Sequence, residues 1–256
     1  MSQAVLTAQK PNRDQALIKL VAVVSMILDH TGVIFFPSVL WLRLLGRLAF
    51  PLFCWGVVIG LERTRDWRRY ALRLFLSALV SQPFFMLALR HTWDQFNVLA
   101  TLLLGLLSIV GIREKRHFSH IWAPTLGLVL GAAFQMDYGW RGVLLIILMH
   151  LTRDSKGGLA ALMVAFCLYW GSGGTVLPQP MVRFLTGTPL VYFNRAMSSL
   201  LNVFSLQTMA ILSLPLMLIN THSGLRVPKW FSYLVYPGHL LLLWALSCLL
   251  LSLHLL

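Results

Sequence analysis

Residues 17–36 read LIKLVAVVSMILDHTGVIFF. About 20 predominantly apolar residues are what an α-helix needs to cross a bilayer, and this run has that length. It also carries an acid and a base, Asp29 and His30, well inside it. A charge near the bilayer centre costs roughly 2.5–3.5 kcal/mol on insertion scales, so ionisable groups within a span tend to face a polar cavity and to mark function. The run predicts a membrane helix with chemistry inside it.

The rest of the chain agrees with a membrane setting. Of 256 residues, 58% are hydrophobic and 11% charged, and the mean hydropathy is +0.76. Soluble domains average about 25% charged residues. The apolar runs have helix length rather than barrel-strand length. The first run is too long for a signal-peptide core and lacks a small-residue cleavage site, so it is expected to remain as the first span. Cys54, Cys167 and Cys248 sit in apolar runs without CxxC or histidine spacing, which reads as core packing and implies neither a metal nor a disulfide.

Nine spans are expected, near 17–36, 43–60, 70–89, 96–112, 119–136, 140–152, 157–171, 199–220 and 230–253, forming one all-α transmembrane bundle over 1–256. The net charge of +13 is read as loop charge rather than as a nucleic-acid surface. Fifteen of the 21 basic residues fall in the segments at one set of span ends, among them Lys10, Arg13, Lys19, Arg113 and Arg153. Positive-inside then places the amino terminus in the cytoplasm. Asp29, His30, Arg43, Arg47, Asn97 and Asp137 gather towards the opposite face, where the chemistry is expected.

Each polar constellation has a functional and a plain reading. Successive helical residues point about 100° apart, so Asp29 and His30 are not expected to bond each other; one is expected to face substrate and the other an arginine. A histidine can take and return a proton near neutral pH. In LRLLGRLAFPLF, 42–53, Gly46 permits close helix approach and Pro51 a kink. Arg47 either pairs with Asp29 or holds an anionic group, and Arg43 either joins it or snorkels. Gln82 in SQPFF and Asn97 in FNVLATLLLG either bind substrate or serve as interhelical glue and helix cap. Asp137 and Tyr138, in the turn MDYGWRG, act on substrate or start the next helix. His239 follows Pro237-Gly238 in FSYLVYPGHLLLL, a break that only protein or a cavity can satisfy within a membrane. The other histidines lie at loops or helix ends. Loop 171–198, rich in aromatic residues, reads as an interface belt or a lid.

In order, LIKLVAVVSMILDHTG, GRLAFPLFCWGVVIGL, RLFLSALVSQPFF, FNVLATLLLGLL, DYGWRGVLLIIL and FSYLVYPGHLLLL resemble the TraX family, named for the F-pilin acetylase of conjugative plasmids. The resemblance runs from about residue 16 to 245. It implies acetyl transfer from acetyl-CoA to an acceptor, in the namesake the amino-terminal amine of a membrane-embedded pilin, in a bacterial inner membrane. On that reading His30 is the general base and Asp29 orients it or anchors Arg47. Arg47 with Asn97 or Gln82 would supply donors to an anionic tetrahedral oxygen. Arg43, Gln82, Asn97, Asp137, Tyr138 and His239 would line the acceptor site. The 3′-phosphoadenosine diphosphate of CoA needs cations, and Arg63, Arg65, Arg68, Arg69 and Arg73 stand at the mouth of the second and third spans; positive-inside alone also accounts for them. No metal is implied.

Two other classes remain open from the residues. A proton-coupled carrier would use Asp29, His30 and Arg47 as a relay, though no internal repeat of the kind common in carriers is visible. A non-catalytic pilus assembly factor would need none of them to react.

Overall fold

The computed structural model describes residues 10–171 and 206–253. The expected loop 171–198 and the start of the expected span 199–220 lie almost wholly outside the described residues. The architecture is helical: α1 (Gln15–Ile34), α2 (Leu40–Gly46), α3 (Ala49–Arg63), α4 (Trp67–Leu89), α5 (Val98–Glu114), α6 (Ser119–Ala133), α7 (Gly139–Leu151), α8 (Lys156–Gly171), α9 (Leu214–Leu218) and α10 (Lys229–Ser252). A 3-10 turn, Thr208–Ser213, precedes α9.

Local chemistry sets most boundaries. Asp14 caps α1 by accepting from the Leu17 amide at 3.2 Å, and Pro37 follows the helix end. Asp66 caps α4 through the Arg68 and Arg69 amides, and Asn97 caps α5 through Leu99. Helices α4 and α5 end on residues in the left-handed region, Arg90 (φ 57°) and Lys115 (φ 54°). The expected second span is interrupted: α2 stops at Gly46 and α3 starts at Ala49, so Pro51 falls in a first turn, where its missing N–H leaves no helix bond unmade.

Helix α3 is the centre. Phe50, Leu52, Trp55, Val58, Ile59 and Leu61 are all essentially inaccessible, and α1, α5 and α7 pack around it. A helix apolar on every side belongs in the middle of a bundle. Helix α10 lies against α4 and α1, while α5 packs on α6 and α7. Two short parallel strands, β1 (Gln95–Phe96) and β2 (Gln135–Met136), pair Gln95 with Gln135 and Phe96 with Met136, tying the α4–α5 turn to the α6–α7 turn at one end.

Among the described residues, four helices are long and apolar enough to cross a membrane by length and composition: Gln15–Ile34, Leu40–Arg63 counted through its break, Trp67–Leu89 and Tyr233–Ser252. The protein is a membrane protein on this evidence. Several expected spans are shorter than read from the sequence. Phe134 turns extended and Gln135–Met136 form β2, so α6 has 15 residues, and α7 has 13. The alternation of helices gathers the starts of α1, α4, α6 and α8 and the ends of α3, α5 and α7 at a basic end. There Arg13 and Arg153 both pair with Glu62, at 3.3 and 3.2 Å. The ends of α1 and α4 and the starts of α5 and α7 meet at the opposite end.

Candidate functional site

Asp29 and His30 leave α1 in different directions and find different partners. Arg47 donates through Nη2 to both Asp29 oxygens, at 2.9 and 3.1 Å, and Arg43 Nη1 sits 3.2 Å from Oδ2. The three side chains are 14%, 13% and 26% exposed. Arg43 is thus an ion-pair partner, not a snorkelling side chain. Arg47 also donates to Gln207 Oε1 at 3.1 Å and to the Arg43 carbonyl at 3.4 Å, so its guanidinium is held on all sides. Gly46 makes this possible. A Cβ at that position would fall inside the Asp29 side chain, so only glycine lets α2 approach α1 here.

His30 turns instead to α10. Its Nδ1 lies 2.7 Å from His239 Nε2, and His239 Nδ1 lies 2.9 Å from the Val235 carbonyl oxygen. Both His239 nitrogens are engaged within the protein, which leaves neither for a substrate. His30 lines a small cavity of about 30 Å³ with Asp29, Phe50, Asp137, Tyr138 and Tyr236. Tyr138, in the left-handed region (φ 68°), stacks on Phe50 with centroids 3.6 Å apart. Asp137 is exposed by surface area, yet protein surrounds its carboxyl closely enough that lost solvation raises its pKa to about 6, against the pull of His91 and Arg47.

Gln82 and Asn97 lie elsewhere. Asn97 gives its amide hydrogens to the Ala78 carbonyl and to Gln82 Oε1, both at 2.8 Å. Gln82 donates to the Gln95 carbonyl at 2.6 Å. These bonds latch α4 to the β1 turn. With Asn97's donors occupied, and neither residue lining the His30 cavity, the expected oxyanion donors are not assembled there. The sequence reading missed Tyr236. It is 4% exposed, its hydroxyl hydrogen has no acceptor among the described residues, and it lines the His30 cavity. Its position three residues before His239, on one helix face, was the available signal.

At the basic end, Arg63, Arg65, Arg69 and Arg73 line a second cavity of about 400 Å³ with Lys19 and Tyr233. Arg68 is not among them; it lies over the Trp67 ring, 5.6 Å from its centroid, and faces a different groove. A third cavity of about 80 Å³, largely apolar, lies between these two. It shares Lys19, Tyr70 and Tyr233 with the basic cavity, and Met26, Phe53, Val98 and Tyr236 with the His30 cavity. Among the described residues, no group of three His, Cys, Asp or Glu side chains is placed to hold a metal ion.

A probable fimbrial assembly protein, FimC of serogroup H1, from Dichelobacter nodosus is 31% identical over 163 residues, covering 58% of this chain and 66% of that protein. Protein TraX of Escherichia coli strain K12 is 28% identical over 169 residues, covering 65% of this chain and 66% of that protein. The chain thus spans just under two thirds of the length of these curated relatives. An uncharacterised protein of Rickettsia prowazekii shares 39% identity over 49 residues. No solved structure matches. The family model described as TraX protein matches residues 14–247, which takes in α1 through most of α10 and every residue of the site, and the chain belongs to the TraX family.

Proposed function

We propose that this chain is a multi-pass acetyltransferase of the bacterial inner membrane. It would carry an acetyl group from acetyl-CoA to the amino-terminal amine of a pilin-like membrane protein. The observation that carries the reading is the row of three cavities with shared walls, from the basic end to His30. Its chemistry changes in the order acetyl-CoA would require: cations for the phosphates, an apolar middle for the pantetheine arm, and an imidazole at the thioester. Arg63, Arg65, Arg69, Arg73 and Lys19 are the binding set. Positive-inside puts this end in the cytoplasm, where acetyl-CoA is, and nine spans complete the topology.

In the reaction, the neutral acceptor amine attacks the thioester carbonyl. His30 Nε2 takes the proton the new C–N bond releases. The C–S bond breaks, and the proton returns to the CoA sulfur, giving an amide and free thiol. The tetrahedral oxygen needs a donor, and the buried Tyr236 hydroxyl has no acceptor for its hydrogen among the described residues, the Val98 amide standing on its oxygen side. Asp29 acts by holding Arg43 and Arg47, and so the α1–α2 corner that presents His30.

The test is transfer from labelled acetyl-CoA by the purified protein in lipid to a pilin-like peptide and to membrane extract, wild type against His30→Ala. Label that moves only with His30 intact supports the enzyme. The Dichelobacter relative, a probable fimbrial assembly protein, favours one alternative, a non-catalytic assembly factor. For that reading, pilus assembly survives His30→Ala and no label moves. Uptake of label into vesicles without covalent transfer points to a carrier.

A further inference from the structure

The contact between His30 and His239 fixes where each proton sits. The ring planes differ by 9° and the centroids are 5.0 Å apart. Face-to-face rings stand about 3.5 Å apart, since carbon atoms in contact approach no closer. The 2.7 Å between His30 Nδ1 and His239 Nε2 is shorter than that, so the rings meet edge to edge, nearly coplanar, through one proton.

A carbonyl oxygen only accepts, so His239 Nδ1, 2.9 Å from the Val235 carbonyl, carries a hydrogen. If His239 is neutral, its Nε2 holds a lone pair, and the shared proton belongs to His30 Nδ1. The other arrangement needs a cationic His239. That would add a third positive charge to a corner where two arginines already face two carboxylates, Asp29 and Asp137, and no further acid stands to balance it among the cavity residues. The neutral arrangement therefore stands. Among the described residues His30 Nε2 has no hydrogen bond, and His30 lines the cavity.

We infer that His239 is a positioning residue: it accepts the His30 Nδ1 hydrogen, locks His30 in the tautomer whose bare Nε2 faces the cavity, and is itself held in register by the Val235 carbonyl. The tautomer of an imidazole is set by the bond its other nitrogen makes, and here a second histidine on α10 does what a carboxylate does elsewhere. Asp29 cannot do it, being one position away and engaged by Arg43 and Arg47. His30 can then receive a proton at Nε2 with no rearrangement at Nδ1. The kinetic side of this inference rests on the acetyl-transfer reading; the tautomer does not.

The experiment has two arms. Histidine ring-15N spectra of the protein in lipid, assigned by the signals lost in His30→Asn and His239→Gln, report the tautomer directly. Both rings are expected with hydrogen on Nδ1 and a bare Nε2; an Nε2–H tautomer at His30 overturns the inference. In the second arm, His239→Leu removes the acceptor, whereas His239→Gln keeps an oxygen near the place of Nε2. Loss of roughly 10²- to 10³-fold in kcat is expected for leucine, with KM for acetyl-CoA within about twofold, and glutamine is expected within about tenfold of wild type. Equal losses in both variants overturn the positioning role. If wild type transfers no acetyl at all, the enzyme reading fails, and the spectra still decide the tautomer.

Discussion

Two groups of arginines sit at opposite ends of the bundle and behave differently. Arg43 and Arg47, near the His30 end, are mostly buried and pressed against Asp29. Arg63, Arg65 and Arg69, at the basic end, are exposed around a wide cavity. Burial makes the difference. A charge pair out of water is locked, because separating it exposes each partner to an uncompensated field; a charge in water is free to exchange its neighbours. The first group is architecture for the His30 corner, and the second is available to a ligand.

The sharpest way to break this comparison is to remove the one acid at the buried end. Asp29→Ala strands two cations, and loss of about 3 kcal/mol is expected, read as a fall in melting temperature in detergent or lipid. An unchanged melting temperature would show that the buried and exposed groups differ only in appearance. Gly46→Ala tests the same corner without altering charge. Its Cβ displaces Asp29, and destabilisation of roughly 1–3 kcal/mol is expected, with loss of acetyl transfer beyond what stability explains.

At the basic end the expected effect is on binding. Arg65→Glu with Arg69→Glu should raise KM for acetyl-CoA about tenfold or more with kcat nearly unchanged, and the effect should shrink as salt rises. Arg68→Glu, outside that cavity, should do much less. Equal effects would mean that only the general positive potential matters.

The smallest effect concerns Asp137. Its folded pKa of about 6 exceeds the unfolded value of about 3.9. A raised carboxyl contributes its stability below about pH 3.9 and loses it as pH rises through about 6. The melting temperature of wild type should therefore fall relative to Asp137→Asn between about pH 4 and 6. Parallel curves would show that open water at its exposed edge outweighs the protein around it.

Much of this was readable from residue types. Asp14, Asp66 and Asn97 mark helix starts by their capping chemistry, and the long apolar runs mark α1, α4 and α10. The pairing of Arg47 with Asp29 is legible as one alternative because opposite charges near a membrane interior have few other outlets. The shortening of α6 was less readable, since Phe134 and Met136 are apolar like the helix before them, and Gln135 and Met136 leave the helix only to pair with β1. Tyr236 was passed over because one hydroxyl in an apolar run looks like packing until its surroundings are known.

The sequence by itself determined that this is a helical membrane protein with an acid–base pair inside its first span, because hydrophobic length and the penalty on buried charge are properties of local composition. Tertiary structure alone decided which partner each of the two residues took. Asp29 and His30 are adjacent in the chain, but the roughly 100° between successive helical residues sends them to α2 and α10. Whether a histidine meets an arginine, a carboxylate or another histidine depends on residues that are, as here, 209 positions apart in the chain and a hydrogen bond apart in space.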